Sequence, residues 1–314
     1  MTPPDPTTLP PDPTSTSTVP ATDGAAPAGR RGRLLLIPNT LDLGCEPLPP
    51  LTDVLPRQVI DTAAGLGHWV VENAKTARAL LKRVDALTPL ARPLQQIAIT
   101  ELPRPAKGGA AEPRAPRATQ DKNAPRMPAG RQGGADRSTA PGAAPATHPL
   151  HGLLAPAWAG HDIGLLSEAG LPAVADPGAA LVQAAHEAGI EVVPFTGPTS
   201  LLLALAASGL NGQSFAFVGY LPQDATERAA RIRALETLSR QQRQTQIAIE
   251  TPYRNDALLG ALVQQMQATT RLSVASGLTL AQQQVRTLSV AHWRRLPGGL
   301  PTNRLPTVYC WLAD

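Results

Sequence analysis

Five short stretches carry side chains or bare backbone able to do chemistry, and most of them follow an apolar run. Ser167-Glu-Ala-Gly-Leu-Pro172 and Gly197-Pro198-Thr199-Ser200 are loops of small residues. Such loops let backbone amides and carbonyls approach a ligand that larger side chains would hold off. Ordinary strand-to-helix turns and helix caps have the same composition. Asp176-Pro177-Gly178 is a helix N-cap by its chemistry, at a place where the helix N-terminus could also favour an anion. Glu250-Thr251-Pro252-Tyr253-Arg254 brings together a carboxylate, an aromatic ring and a guanidinium. That set suits a heterocycle with its ribose, and equally a plain Glu–Arg pair. Glu72-Asn-Ala-Lys75 continues to Arg78, so that Lys75 and Arg78 share a helix face, either to grip phosphates or to be solvated.

The elements that must position these residues are legible in outline. Arg33-Leu-Leu-Leu-Ile37, stopped by Pro38-Asn39, reads as a buried first strand. Residues 51–65 read as helical with proline interruptions, and His68–Glu72 as a second strand. Asn73 then caps a helix to about Val84, with Ala77, Leu80, Leu81 and Val84 on its apolar stripe, and Gln96–Glu101 is a third strand. Ile163–Leu166 is apolar throughout, as expected of a strand buried on both faces. A helix from Asp176-Pro177 to about Ala188 ends at Gly189 and is followed by the strand Ile190–Phe195. Strand, helix and strand in that order demand a right-handed parallel crossover. Helix Ser200–Ala207 is apolar all round and is expected to be internal. Strands at Ser214–Tyr220, Thr245–Glu250, Arg271–Ser276 and Pro306–Leu312, with a helix from Asp224 to about Arg240 and another after Glu250, complete a second sheet.

This pattern predicts an α/β fold of two α/β domains. The first has a parallel doubly wound sheet, the second a mixed sheet, and a cofactor cleft lies between them. The expected boundaries are a tail at 1–32, an N-terminal domain at 33–196 and a C-terminal domain at 197–314. In a chain of 314 residues the 34 prolines are unevenly spread, and residues 1–32, rich in Pro, Thr and Ala, are expected to be disordered. Residues 105–150 read as a structureless insertion with seven basic residues against three acids, a surplus that equals the formal +4 of the whole chain. A mobile basic arm would engage a polyanion; a solvated low-complexity insertion has the same composition. With two distant cysteines (Cys45 and Cys310), six scattered histidines and no apolar span, the sequence predicts a reduced cytoplasmic protein with no metal and no membrane segment. Gly65-Leu-Gly67 precedes a strand and so is no dinucleotide fingerprint, and neither a Walker loop nor a serine elbow is present.

Taken in register, SEAGLP with ADPG, FTGPTSLLLALAASGL, FAFVGYLP and IETPYR resemble the tetrapyrrole methylase family of S-adenosylmethionine-dependent methyltransferases. The likeness is greatest to its branch acting on ribose 2′-oxygens of small-subunit ribosomal RNA, whose motifs are SDAGTP–SDPG, PGPSA, SGL, F-x-F-x-GFLP and YESPHR. It runs from about Leu34 to Leu280 around the insertion. The resemblance implies a homodimer with S-adenosylmethionine folded between two domains. The implied donor contacts are Pro38 and Asn39, then Ser167, Glu168, Ala169, Gly170 and Pro172 with Asp176. Gly197, Pro198, Thr199 and Ser200, and Glu250, Thr251, Pro252 and Tyr253, complete them.

The departures lie where an acceptor would sit. Glu168 and Leu171 replace Asp and Thr, EDTR becomes Glu72-Asn-Ala-Lys75, a TPIGN-type loop becomes Pro38-Asn39-Thr40-Leu41-Asp42, and RELTK becomes Ser276-Gly-Leu-Thr-Leu280. The expected reaction is methyl transfer to an RNA oxygen, probed against two alternatives: a tetrapyrrole or other small-molecule acceptor, and donor binding without catalysis. Glu72 and Glu250 are the candidate bases, Lys75 belongs with them in the catalytic set, and Lys75, Arg78 and Arg254 are candidate anchors for the ribosomal RNA partner.

Overall fold

The computed structural model describes residues 30–42, 48–103, 149–296 and 305–314. The tail up to residue 29, Cys45 and the body of the basic insertion lie outside the described residues. In chain order the elements are β1 (Leu34–Leu36), α1 (Leu51–Val54), α2 (Arg57–Gly65), β2 (His68–Val71), α3 (Ala74–Asp85) and β3 (Ala98–Glu101). Then come α4 (Ala155–Trp158), β4 (Ile163–Leu166), α5 (Ala179–Glu187), β5 (Val192–Pro194) and α6 (Ser200–Ser208). The remainder is β6 (Phe215–Tyr220), α7 (Ala225–Gln242), β7 (Thr245–Glu250), α8 (Asn255–Gln265), β8 (Arg271–Ser276), β9 (Gln284–Ser289), α9 (Val290–Trp293) and β10 (Thr307–Leu312).

β1 to β5 form one wholly parallel sheet in the order β3-β2-β4-β1-β5. Successive strand residues point to opposite faces. Leu35, Ile37, Trp69, Val71 and Leu166 therefore pack against α2 and α3. Leu34, Val70, Ile163 and Leu165 pack against α5 through Leu181, Ala184 and Ala185. Trp69 stands opposite Gly164 in the register, and a Cβ there would lie 2.6 Å from the indole. The glycine is thus what allows the largest side chain of this layer to sit flat between its neighbours.

The second sheet runs β6-β7-β10-β8-β9. Its β6–β7 pair is parallel and its other pairs are antiparallel. One face buries Trp311, Tyr309, Val274 and Leu272 among residues of α7 and α8, and the other holds Cys310, Val308 and Ile247 against α6. The buried Asn255 amide donates to the Leu305 carbonyl at 2.7 Å and the Thr307 hydroxyl at 3.0 Å, tying α8 to the start of β10. Asp224 caps α7, accepting from the amides of Thr226 and Glu227, both at 2.9 Å.

Two local expectations change. Asp176 does not cap α5, because Gly178, at φ 130°, is the N-cap and no side chain bonds there. Ala173 and Ala175 both adopt left-handed backbone, φ 66° and 62°, and turn the loop before the helix can start at Asp176. α6 is not internal all round, since Leu202 and Leu203 remain 49% and 40% exposed. The expected proline interruption of residues 51–65 falls at Pro56, which separates α1 from α2. β9, α4 and α9 add to the expected elements.

Candidate active site in the cleft between the sheets

Connections from β1 pass through α1 and α2 to β2, while the connection from β4 passes through α5 to β5 on the other side and face. β1 and β4 are neighbours whose connections leave on opposite faces of the sheet, which leaves a crevice beyond their carboxyl ends. In open α/β sheets that is where ligands bind. A reciprocal pair of backbone bonds closes its floor: Asn39 N to Gly170 O at 2.9 Å and Gly170 N to Asn39 O at 3.0 Å. The buried Asn39 side chain adds bonds to the carbonyls of Ser167 (3.1 Å) and Glu168 (2.9 Å). Gly170, at φ 72°, supplies the turn.

The second sheet walls the other side. Glu250 ends β7, Thr307 opposite it begins β10, and Thr279 follows β8 with φ 74°. Between the sheets lies a cleft of about 400 Å³. Asp42, Glu72, Glu168, Asp176 and Glu250 all line it, and no Lys or Arg is among the described residues that do so. Leu201, Ile249, Leu278 and Val308 form an apolar wall facing them.

The carboxylates have different attachments. Glu250 is buried and its Oε1 accepts from Arg254 Nη2 at 2.7 Å and Nε at 3.0 Å, and from the Thr251 amide at 2.7 Å. Glu72 Oε2 accepts the Glu168 amide at 3.0 Å, and Glu168 Oε1 accepts from Asn73 Nδ2 at 2.8 Å. The same Asn73 caps α3 through its Oδ1, bonded by Lys75 N at 2.9 Å and Thr76 N at 3.3 Å. Asp176 is held near the Ser167 hydroxyl. Burial pushes its carboxyl up to about 6, the negative charges of Glu72 and Glu168 push the same way, and only the Ser167 hydroxyl opposes them. Burial likewise raises the Tyr220 hydroxyl, helped by Asp176 and Glu250.

Of the residues singled out from sequence, the cleft gathers Asn39 and Glu72, then Glu168, Ala169, Gly170 and Asp176. From the second loop and from β7 onward it gathers Pro198, Thr199, Ser200, Glu250, Thr251 and Pro252. Others support from behind. A Cβ on Gly197 would lie 2.2 Å from Pro38, so the two pack backbone to ring, while Ser167 and Pro172 are buried. Lys75, Arg78 and Tyr253 (88% exposed) lie on the surface, and Arg254 serves Glu250. Sequence reasoning missed Tyr220 and Thr279 as lining residues. The signal for Tyr220 was its place at the end of a strand, before Leu221-Pro222; Thr279 carried none beyond following one.

A strand-edge cleft of this kind defines a small-molecule site on an α/β enzyme scaffold. The family model for Tetrapyrrole (Corrin/Porphyrin) Methylases matches residues 74–292, and the chain belongs to that family. It is 38% identical over 135 residues to a Mesorhizobium japonicum protein named Ribosomal RNA small subunit methyltransferase I, covering 43% of this chain and 45% of that one. A Synechocystis protein of the same name is 40% identical over 141 residues, covering 44% and 49%. The matched segments span about half the length of these relatives. Among solved structures, the uroporphyrin-III-C-methyltransferase from Thermus thermophilus aligns over 90% of this chain and 92% of its own, at 17% identity and a TM-score of 0.44. No helix among the described residues is long and apolar enough to cross a membrane, and none of their side chains cluster as a metal site.

Proposed function

We propose that the chain transfers a methyl group from S-adenosylmethionine to a ribose 2′-oxygen of small-subunit ribosomal RNA. The observation that carries the donor is the cleft's charge: five carboxylates and no described cation among its lining residues. S-adenosylmethionine supplies a methyl made electrophilic by a sulfonium and carries an ammonium as well, so it is a cation suited to such a lining. Its volume of about 400 Å³ lies in the usual range for ligand sites. The Asn39, Gly170, Pro198 and Thr199 backbone would hold the donor's polar edges, and Leu201, Ile249 and Val308 its flat ring.

The ribosomal acceptor is supported by the names of the two relatives. Lys75 and Arg78, exposed on the first turns of α3 just beyond Glu72, are the anchors for its phosphates. The reading includes a domain boundary at 196/197 and a cytoplasmic homodimer, supported by the apolar residues that α6 leaves to solvent. One feature favours a second reading, a small-molecule acceptor: no described cation reaches the cleft itself.

Labelled S-adenosylmethionine incubated with the protein and undermethylated small subunits tests the choice. Label in a ribose-methylated nucleotide supports the first reading. Label only in a small-molecule extract supports the second, and binding without turnover on any fraction leaves a non-catalytic donor-binding module.

A further inference from the structure

We propose that Asp176, and neither Glu250 nor Glu72, is the group that takes the acceptor's proton during methyl transfer. The inference rests on the reading of this cleft as a methyl-transfer site and assigns the one role that reading leaves open. Glu250, Glu72 and Glu168, three of the five carboxylates that line the cleft, each hold a committed hydrogen-bonded position. Glu250 is pinned by two N–H groups of Arg254 and by the Thr251 amide, all on one oxygen, and that guanidinium stabilises its charged, weakly basic form. Glu72 holds the Glu168 amide and so fixes the loop after β4. Glu168 is tethered to Asn73, the residue that starts α3.

Asp176 differs in each respect. The sequence places it where a helix cap belongs, yet the left-handed turns at Ala173 and Ala175 leave capping to Gly178 and set Asp176 on the cleft lining. The Ser167 hydroxyl beside it is neutral and donates to the Ala169 carbonyl at 3.0 Å, and no described cation pairs with Asp176 to hold it in the ionised state. The charged groups that act on it are Glu72, after β2, and Glu168, after β4; Tyr220, at the end of β6, feels Asp176 together with Glu250, Arg254 and Glu72. Burial first, and then the like charges of Glu72 and Glu168, raise its proton affinity, and its titration is displaced to about 6. A base with that affinity is still largely ionised at neutral pH and is a far better proton acceptor than an ordinary aspartate.

The step balances without any further reagent. The acceptor's hydroxyl oxygen bonds to the methyl carbon as the carbon–sulfur bond breaks, and that electron pair stays on sulfur as a neutral thioether. The hydroxyl proton passes to the Asp176 carboxylate and from there to water. Each turnover thus ends with the methyl ether, the thioether and one proton released.

Single-turnover methylation and S-adenosylhomocysteine binding, both followed from pH 5 to 9, test the assignment. In the unsubstituted protein the rate should fall about tenfold per pH unit below a midpoint near 6. Measured at saturating donor, Asp176→Asn should lower the plateau rate by about 10²–10⁴-fold and abolish that limb. Glu72→Gln removes one of the two like charges that add to burial in raising Asp176, so the limb should move part of the way to lower pH, a reading that does not depend on the first variant folding. An Asp176→Asn protein that keeps rate and limb overturns the assignment, as does an unsubstituted protein whose rate shows no limb near pH 6. Failure of the unsubstituted protein to bind the thioether at any pH is a separate outcome: it removes the methyl-transfer reading itself and the assignment with it.

Discussion

Single residues in this cleft act by what they are already bonded to. Glu250 was legible as a chemical candidate because a carboxylate at a strand end stands out in sequence. The structure shows it engaged by Arg254 four residues on, an i,i+4 contact that spacing alone permits without requiring. Asp176 was misread for a related reason. Asp-Pro-Gly is a capping pattern, and nothing local announces that two alanines will adopt positive φ and redirect the side chain. Its raised affinity also bears on stability. The folded state holds the proton up to about 6, above the 3.8 of an ordinary aspartate, so this contribution is present below pH 3.8 and is lost as pH rises through 6. Asp176→Asn is therefore expected to raise the melting temperature at pH 8 relative to the unsubstituted protein, with the gain shrinking to nothing near pH 4. Calorimetric scans at the two pH values read it directly.

At the level of strands and helices, legibility followed burial. β4 and β7 were found at their residue limits, β4 as a continuous apolar run and β7 as the β-branched core Ile-Ala-Ile between polar ends, both bounded by turn residues. β9, with the sequence QVRTLS, is an edge strand paired only with β8 and lacks a sustained alternation, so only its partner's geometry specifies it. α6 was found as a helix, but its uniform apolarity concealed which side would be covered. The Trp69–Gly164 pair gives a test of the parallel sheet. Gly164→Ala forces a methyl against the indole across two paired central strands, and overpacking of this kind destabilises by about 1–3 kcal/mol. Urea titration should show a lowered midpoint with an unchanged slope. Asn73→Ala removes the α3 cap and the tether to Glu168 together, for a loss of about 1 kcal/mol from the cap alone. It should also weaken donor binding, because the loop after β4 loses its anchor.

Across the whole molecule, the exposed side of α6 and the edge strand β6 leave Leu202, Leu203, Phe215 and Phe217 to solvent. Apolar surface of that sort marks contact with another molecule. Under the homodimer reading, Leu202→Glu should halve the sedimenting mass while leaving the circular dichroism spectrum unchanged; a parent protein that sediments as a monomer removes the reading. Asn39 and Thr307, separated by most of the sequence, meet at the same cleft, as do Glu72 and Glu250. A guest lodged there therefore fastens early and late portions of the polypeptide to each other. Saturation at about a hundredfold above the dissociation constant would add roughly 2.7 kcal/mol to the folded state. That gain should protect β3 and β9, at far rims of the two sheets, from amide exchange at the same time, as a clasp steadies both covers of a book.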